Sequence, residues 1–219
     1  MNVQIYVTHA DDAELCDSVG VDLIGVVVDP AFRTPSSLDF LQAEEAFSRV
    51  SSDKSRVALS MDSSTEAFLE IVEILHPDIL HIACDLKLLS PNSLCEIRSR
   101  IQDTNLMLAI PMNGPDPIGL AREFEKCADY FILDTGDPDR VDIGATGQTH
   151  DWNLSAKLVQ EVSTPTVLAG GLSPENVAEA IQVVKPWGVD SFTKTNRTDL
   201  PLRKDPDQVI SFVKAARPQ

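Results

Sequence analysis

The stretch TVLAGGLSPENVAEAIQVVKPWGVDSF, Thr166 to Phe192, decides the fold. It passes from a short β-rich apolar run through two glycines into an amphipathic segment, then into a second apolar run at Gly188 to Thr193. That order reads strand, helix, strand. Strand runs that are apolar on both faces, each followed by a helix, form parallel sheets with right-handed crossovers. Working outward, the same alternation recurs at Val3 to Val7, Asp22 to Val28, Arg56 to Met61, Ile79 to Ala83, Leu106 to Ile110 and Tyr130 to Leu133. Eight such units in 219 residues predict an α/β chain folded as one (β/α)8 TIM barrel domain spanning residues 1–219. An open doubly wound sheet is the competing arrangement, but eight regular units in this length fit closure better.

The helix-period segments between the runs carry start signals. Thr65 to Leu75 places Phe68, Leu69, Val72 and Leu75 on one face, and Ser63 with Glu66 reads as a capping box. Ser173-Pro174 and Asp205-Pro206 each read as a cap residue followed by proline at the first helical position. Further helices are expected near 11–18, 38–50, 93–101, 116–127 and 154–162.

Composition narrows the function classes. A formal charge of -16 opposes nucleic acid or an anionic membrane as partner. No apolar run is long enough to span a bilayer and the N-terminus shows no signal peptide, so a cytoplasmic protein is expected, monomeric or homodimeric. Cys16, Cys84, Cys95 and Cys127 have no CxxC spacing, so reduced thiols are expected and neither zinc nor disulfides. No cofactor and no metal is expected.

In such a barrel the chemistry sits where strands end, at the C-terminal face. The polar residues there are Thr8, His9, Asp29, Asp62, His81, Asp85, Asp134, Thr193 and Lys194, with Gly170 and Gly171 closing the seventh strand. Glycine lacks a Cβ, so its backbone N–H can approach a ligand, and phosphate sites in these barrels are often built from the loops after strands seven and eight. A sugar phosphate is the expected small-molecule partner; a plain strand-to-helix turn is the alternative reading of the glycines.

The segment LAGGLSPENVAEAIQVVKPWGVD strongly resembles phosphoribosylanthranilate isomerase, the tryptophan-pathway family that converts an aminoaldose phosphate into an aminoketose phosphate. ILDT at Ile132 to Thr135 and GATGQTHDW at Gly144 to Trp152 are similar to that family's LLDT and glycine-rich motifs. Weaker similarity covers GVDLIGVVVDPAFRT and DILHIACD. The resemblance implies Asp134 as general acid. It implies substrate binding by Arg33, Gly144, Thr146, Gly147, Gly170 and Gly171, with Thr193 and Lys194 at the phosphate side; Asp151 also matches a motif.

The departures concern proton chemistry. The family's K-I-C-G motif, whose cysteine is the general base, reads Gln4-Ile5-Tyr6-Val7 here, and Cys16 belongs to the first helix. The family's Q-L-H-G reads His81-Ile82-Ala83-Cys84, and its S-S-G reads Phe192-Thr193-Lys194. An aldose-to-ketose rearrangement needs one group to protonate the ring oxygen and another to remove the C2 proton. Candidates for the second are His9, His81 and Asp29; His81 can equally be a core histidine, and His9 a cap or loop residue. Tyr6 reads as packing. Lys194 can neutralise a phosphate or carboxylate, form a Schiff base, or stand solvated, and Asn196 and Arg197 can extend an anion site or lie on the loop surface. Two further functions stay open: a metal-dependent phosphosugar epimerase or lyase using His9, Asp29, His81 and Asp134 as ligands, and a non-catalytic phosphosugar-binding protein.

Overall fold

The computed structural model describes residues 1–29, 34–135 and 149–218. Each apolar run becomes a strand: β1 (Asn2–Tyr6), β2 (Leu23–Val28), β4 (Ser55–Ser60), β5 (Ile79–Ile82), β6 (Asn105–Pro111), β7 (Tyr130–Asp134), β8 (Thr166–Leu168) and β9 (Gly188–Ser191). Among the described residues every pairing between these strands is parallel, and β1 bonds both β9 and β2, which closes the ring. The short β3 (Ser37–Leu38) hooks onto β2 outside that ring and has no counterpart in the strand pattern. The helices α1 (Ala10–Ser18), α2 (Phe40–Phe47), α3 (Thr65–Leu75), α4 (Pro91–Arg100), α5 (Pro117–Phe124), α6 (Trp152–Glu161), α7 (Val177–Val184) and α8 (Pro206–Ala216) surround it.

Strand alternation divides the buried residues into two cores. Val3, Ile5 and Val7 point outward into the larger one, where strands pack on helices through side chains such as Phe68, Phe124 and Phe212. Tyr6, Ile79, Met107, Ile132 and Val167 point inward and fill the barrel. Tyr130 stacks on Trp187 with ring centroids 4.9 Å apart in this inner core. Gly25 is the one inward position of β2 where space demands glycine, since a Cβ there would lie 2.4 Å from the Tyr6 ring.

Three local expectations change. The cap of α3 is Ser64, whose Oγ accepts from the Ala67 N–H at 3.2 Å, so the Ser63–Glu66 box is not formed. The seventh helix begins at Val177, because Asn176, its N-cap, turns its side chain back into the preceding loop. Cys95 and Cys127 are paired as a disulfide, with Cα atoms 4.9 Å apart, against the expectation of four reduced thiols. Their separation of 32 residues is one strand–helix unit, which sets neighbouring outer helices side by side. Asp205-Pro206 does open α8 as read, with Asp205 accepting from Asp207 and Gln208 N–H.

Candidate active site

At the C-terminal mouth of the barrel lies a cavity of about 350 Å³. Tyr6, His81, Ala109 and Ile132 reach it from inside the barrel, and Asp134, Asp190 and the turns after β8 and β9 also line it.

The turn after β8 is held open by backbone conformation. Gly170 has φ 80 and Gly171 φ 63, in the left-handed region that side chains disfavour. Asn176 locks this turn from behind: its Nδ2 donates to the Gly171 carbonyl at 3.1 Å and its Oδ1 accepts from the Ser173 N–H at 2.8 Å. Ser191 Oγ donates to the Leu172 carbonyl at 2.9 Å, tying the turn to β9. The Ser173-Pro174 pair therefore belongs to the turn itself.

Beyond β9, the exposed residues Thr193 and Lys194 line the cavity from a 3-10 turn, Thr193–Thr195, whose last residue is buried. A buried cation fixes that turn. Lys204 Nζ donates to the Phe192 carbonyl at 2.8 Å, Thr195 Oγ1 at 3.0 Å and Asn196 Oδ1 at 2.6 Å, and lies 4.8 Å from the Phe192 ring centroid. Desolvation lowers its pKa to about 8. Arg203 binds Asp12 through two hydrogen bonds, of 2.9 and 3.2 Å, and Thr8 Oγ1 donates to the Leu202 carbonyl at 2.5 Å, so the segment is anchored to the start of α1. Arg197 is engaged with Asp199 at the surface, whereas Asn196 lines the cavity. Lys194 makes no hydrogen bond or ion pair with the described residues, and its charge helps lower the pKa of Glu175.

Four titratable groups meet in the barrel mouth. Burial lowers the His81 pKa to about 3, so the imidazole is neutral at pH 7. The Tyr6 hydroxyl is bonded to its Nδ1, and His81 Nε2 is buried without a partner among the described residues. Asp134 ends β7; desolvation raises its pKa to about 7, against the Thr135 N–H, which donates to Oδ1 at 2.6 Å and lowers it. Asp190 on β9 is 7% exposed, and desolvation followed by the charge of Asp134 raises its pKa to about 8, opposed by Gln4 and Lys204. Gln4 faces Asp190 across the β1–β9 register. Asp190 Oδ1 and both amide atoms of Gln4 are buried without a bond that meets hydrogen-bond geometry among the described residues.

The fold thus brings together Asp134, His81, Gly170, Gly171, Thr193 and Lys194 from the sequence-derived set. It does not bring His9: this residue is the N-cap of α1, its side chain is 49% exposed, its Nδ1 is bonded to Thr8 Oγ1 at 2.9 Å, and it stands outside the cavity lining. The strand ends before His9, and the helix start turns the side chain to solvent. Asp29 is also outside the lining; buried, it accepts from the Met61 N–H at 3.0 Å and ties β2 to β4. Asp62, Asp85 and Asp151 accept from nearby backbone N–H groups, the last two as helix caps. Arg33, Gly144, Thr146 and Gly147 lie outside the described residues. Among the described residues no group of three or more His, Cys, Asp or Glu side chains could hold a metal ion, so the four suggested ligands do not converge.

Sequence reasoning passed over Asp190 and Lys204. Asp190 carries a usable signal, since a carboxylate two residues before Phe192 inside an apolar strand must face either the helices or the barrel, and either burial is costly. Lys204 carries none, because its partners are assembled only by the folded loop.

Residues 28–214 match the family model described as N-(5'phosphoribosyl)anthranilate (PRA) isomerase. A Methanosarcina mazei protein named N-(5'-phosphoribosyl)anthranilate isomerase 2 is 34% identical over 216 residues, covering 96% of this chain and 91% of that protein. An N-(5'-phosphoribosyl)anthranilate isomerase of Haloferax volcanii is 30% identical, covering 96% and 90%. Among solved structures, phosphoribosyl anthranilate isomerase from Thermotoga maritima superposes with a TM-score of 0.81 at 24% identity, covering 100% of both chains. That from Thermococcus kodakaraensis gives a TM-score of 0.77 at 26% identity, covering 100% of this chain and 99% of the other.

Proposed function

We propose, from the premise that this chain belongs to the N-(5'-phosphoribosyl)anthranilate isomerase family, a division of labour among its own residues. The chain is an aldose–ketose isomerase of a phosphorylated aminosugar. We assign it the substrate its relatives are named for, N-(5'-phosphoribosyl)anthranilate, as a soluble small-molecule partner. A cytoplasmic setting and a monomeric or homodimeric state are part of the same reading; among the described residues no helix is long and apolar enough to cross a membrane.

The substrate phosphate is placed between the Gly170–Gly171 turn and the Thr193–Lys194 turn. Left-handed glycines bring main-chain N–H groups close to an anion, and Lys194 adds a charge not held by an ion pair among the described residues. The sugar then reaches inward toward Asp134. Arg33, Gly144, Thr146 and Gly147 are assigned to substrate binding on their motif match alone.

One observation carries the reading: Asp134 ends its strand on this cavity with a pKa of about 7, where a carboxyl group can hold a proton and release it at working pH. Asp134 gives its proton to the ring oxygen as the C1–O bond opens. His81, neutral, serves as a hydrogen-bonding group rather than a base. The test is turnover of phosphoribosylanthranilate by the purified protein, followed through the fluorescence of its anthranilate ring. Asp134→Asn should cut kcat by about 10²–10⁴. A wild-type protein that leaves this substrate unchanged, or an undiminished Asp134→Asn, would overturn the reading.

A further inference from the structure

The family resemblance assigns the C2 proton to a cysteine, and this chain has Tyr6 in that place. The remaining thiols are unsuited to replace it. Cys16 is fully buried outside the barrel interior, and burial pushes both it and Cys84 up to about 12, which leaves protonated thiols at neutral pH. Tyr6 keeps its own proton, because burial and then the charges of Asp190 and Asp134 raise its pKa well above the ordinary value. His81 is too weak a base.

Resting on the function proposed above, we infer that Asp190 is the general base of this enzyme and works as a pair with Asp134. Asp190 lines the same cavity, is buried, and has one carboxylate oxygen with no partner among the described residues. It belongs to β9, next to the strand that leads into the glycine turn and separated by that strand alone from β7, where Asp134 stands. Around it stand Gln4 on β1, Tyr6 on β1, Asp134 on β7 and the Lys204 ammonium behind the β9 turn. Two carboxyls that repel each other's ionisation in one desolvated mouth hold a single proton between them near neutrality. The shared proton moves between the two carboxyls, and the pair is reactive in the form that carries it on Asp134 and leaves Asp190 ionised.

The protons balance over the whole reaction. Asp134 gives its proton to the ring oxygen, the C1–O bond breaks, and the nitrogen lone pair forms the C1=N bond of the open-chain iminium. Ionised Asp190 takes the proton from C2; the C–H electron pair becomes C1=C2 and the C=N pair returns to nitrogen, giving the enolamine. Asp190 then delivers its proton to C1 while the C2 hydroxyl loses its proton to Asp134, leaving the aminoketose and the original pair. Neither redox partner nor external acid is required.

The experiment has three arms on the full chain. Wild-type turnover of phosphoribosylanthranilate is measured first; its absence overturns the function proposed above and this assignment with it. Given turnover, Asp190→Asn should lose at least about 100-fold in kcat with KM changed only a few-fold. Asp190→Ala should be equally slow and should regain activity with added formate, which fits the vacated volume as a diffusible base. Asp190→Asn within threefold of wild-type kcat, or a folded Asp190→Ala that formate does not rescue, overturns the base assignment alone, since a merely structural carboxylate gives no such rescue.

Discussion

The Tyr6 hydroxyl lies 2.5 Å from Nδ1 of His81, a hydrogen bond that crosses the barrel interior from β1 to β5. Two strands, β2 and β4, separate them in the sheet order, and the phenol passes because Gly25 on β2 presents no Cβ to its ring. Since Tyr6 retains its proton, it donates, Nδ1 accepts, and the imidazole proton sits on Nε2. Tyr6 thereby stands in the barrel interior as a hydrogen-bond donor and not as a proton acceptor.

Tyr6→Phe should remove the donor and leave a buried nitrogen without a partner. Urea denaturation should then show a loss of about 1–3 kcal/mol. In the same variant the ring nitrogens of His81, observed by ¹⁵N NMR, should no longer report a fixed tautomer. An unchanged unfolding midpoint with unchanged ring signals would mean that the bond does not hold the imidazole.

At Gly171, with φ 63, a side chain must adopt a left-handed backbone, which is disfavoured by roughly 1–2 kcal/mol. Relief of that strain would rotate the N–H groups of the turn away from the cavity. Gly171→Ala should therefore raise KM for the phosphorylated substrate by about tenfold, the equivalent of about 1.4 kcal/mol, with kcat little changed. Steady-state kinetics decide; a fall in kcat at constant KM would place the turn in the chemistry instead of the binding.

The carboxyl pair makes stability depend on pH in the unusual direction. Asp134 and Asp190 have folded pKa values raised from 3.8 to about 7 and about 8, so between these limits the native state binds more protons than the unfolded one. Their protonated forms contribute stability that is fully present below about pH 4 and is lost as pH rises through 7 and 8. Asp78, held by Arg56, has the opposite sign: its pKa is lowered, so its contribution is lost only as pH falls below the ordinary carboxylate range. His81 and His150, whose pKa values burial lowers to about 3 and about 4, also have the opposite sign, but that contribution is complete above the ordinary imidazole value of 6.5. Urea midpoints measured from pH 6.5 to pH 8 should therefore fall with rising pH, and Asp190→Asn should flatten the slope. A wild-type slope that rises across this window would contradict the shifted pair.

The barrel was legible because each unit advertises itself locally. Val3, Ile5 and Val7, or Phe68 and Leu75, are placed by periods of 2.0 and 3.6 residues that need only the neighbouring chain to be read. The same holds for Gly170–Gly171, where left-handed backbone and glycine coincide, and for Asp134 at a strand end. His9 and Asp29 were misplaced because a polar residue at a strand end can face solvent, a neighbouring strand or the cavity, and composition does not distinguish the three. His9 went to solvent and Asp29 to the Met61 N–H.

From its sequence alone this protein determined that eight parallel strands would alternate with helices and where the strand-end turns would fall, since both follow from interactions between residues a few positions apart. Ring closure decided the rest. It set Tyr6 on His81 across 75 residues, and Asp190 opposite Gln4 in one cavity with Asp134. Those encounters depend on register and on which strand face turns inward, and the desolvation that tunes the carboxyls exists only once the barrel has excluded water.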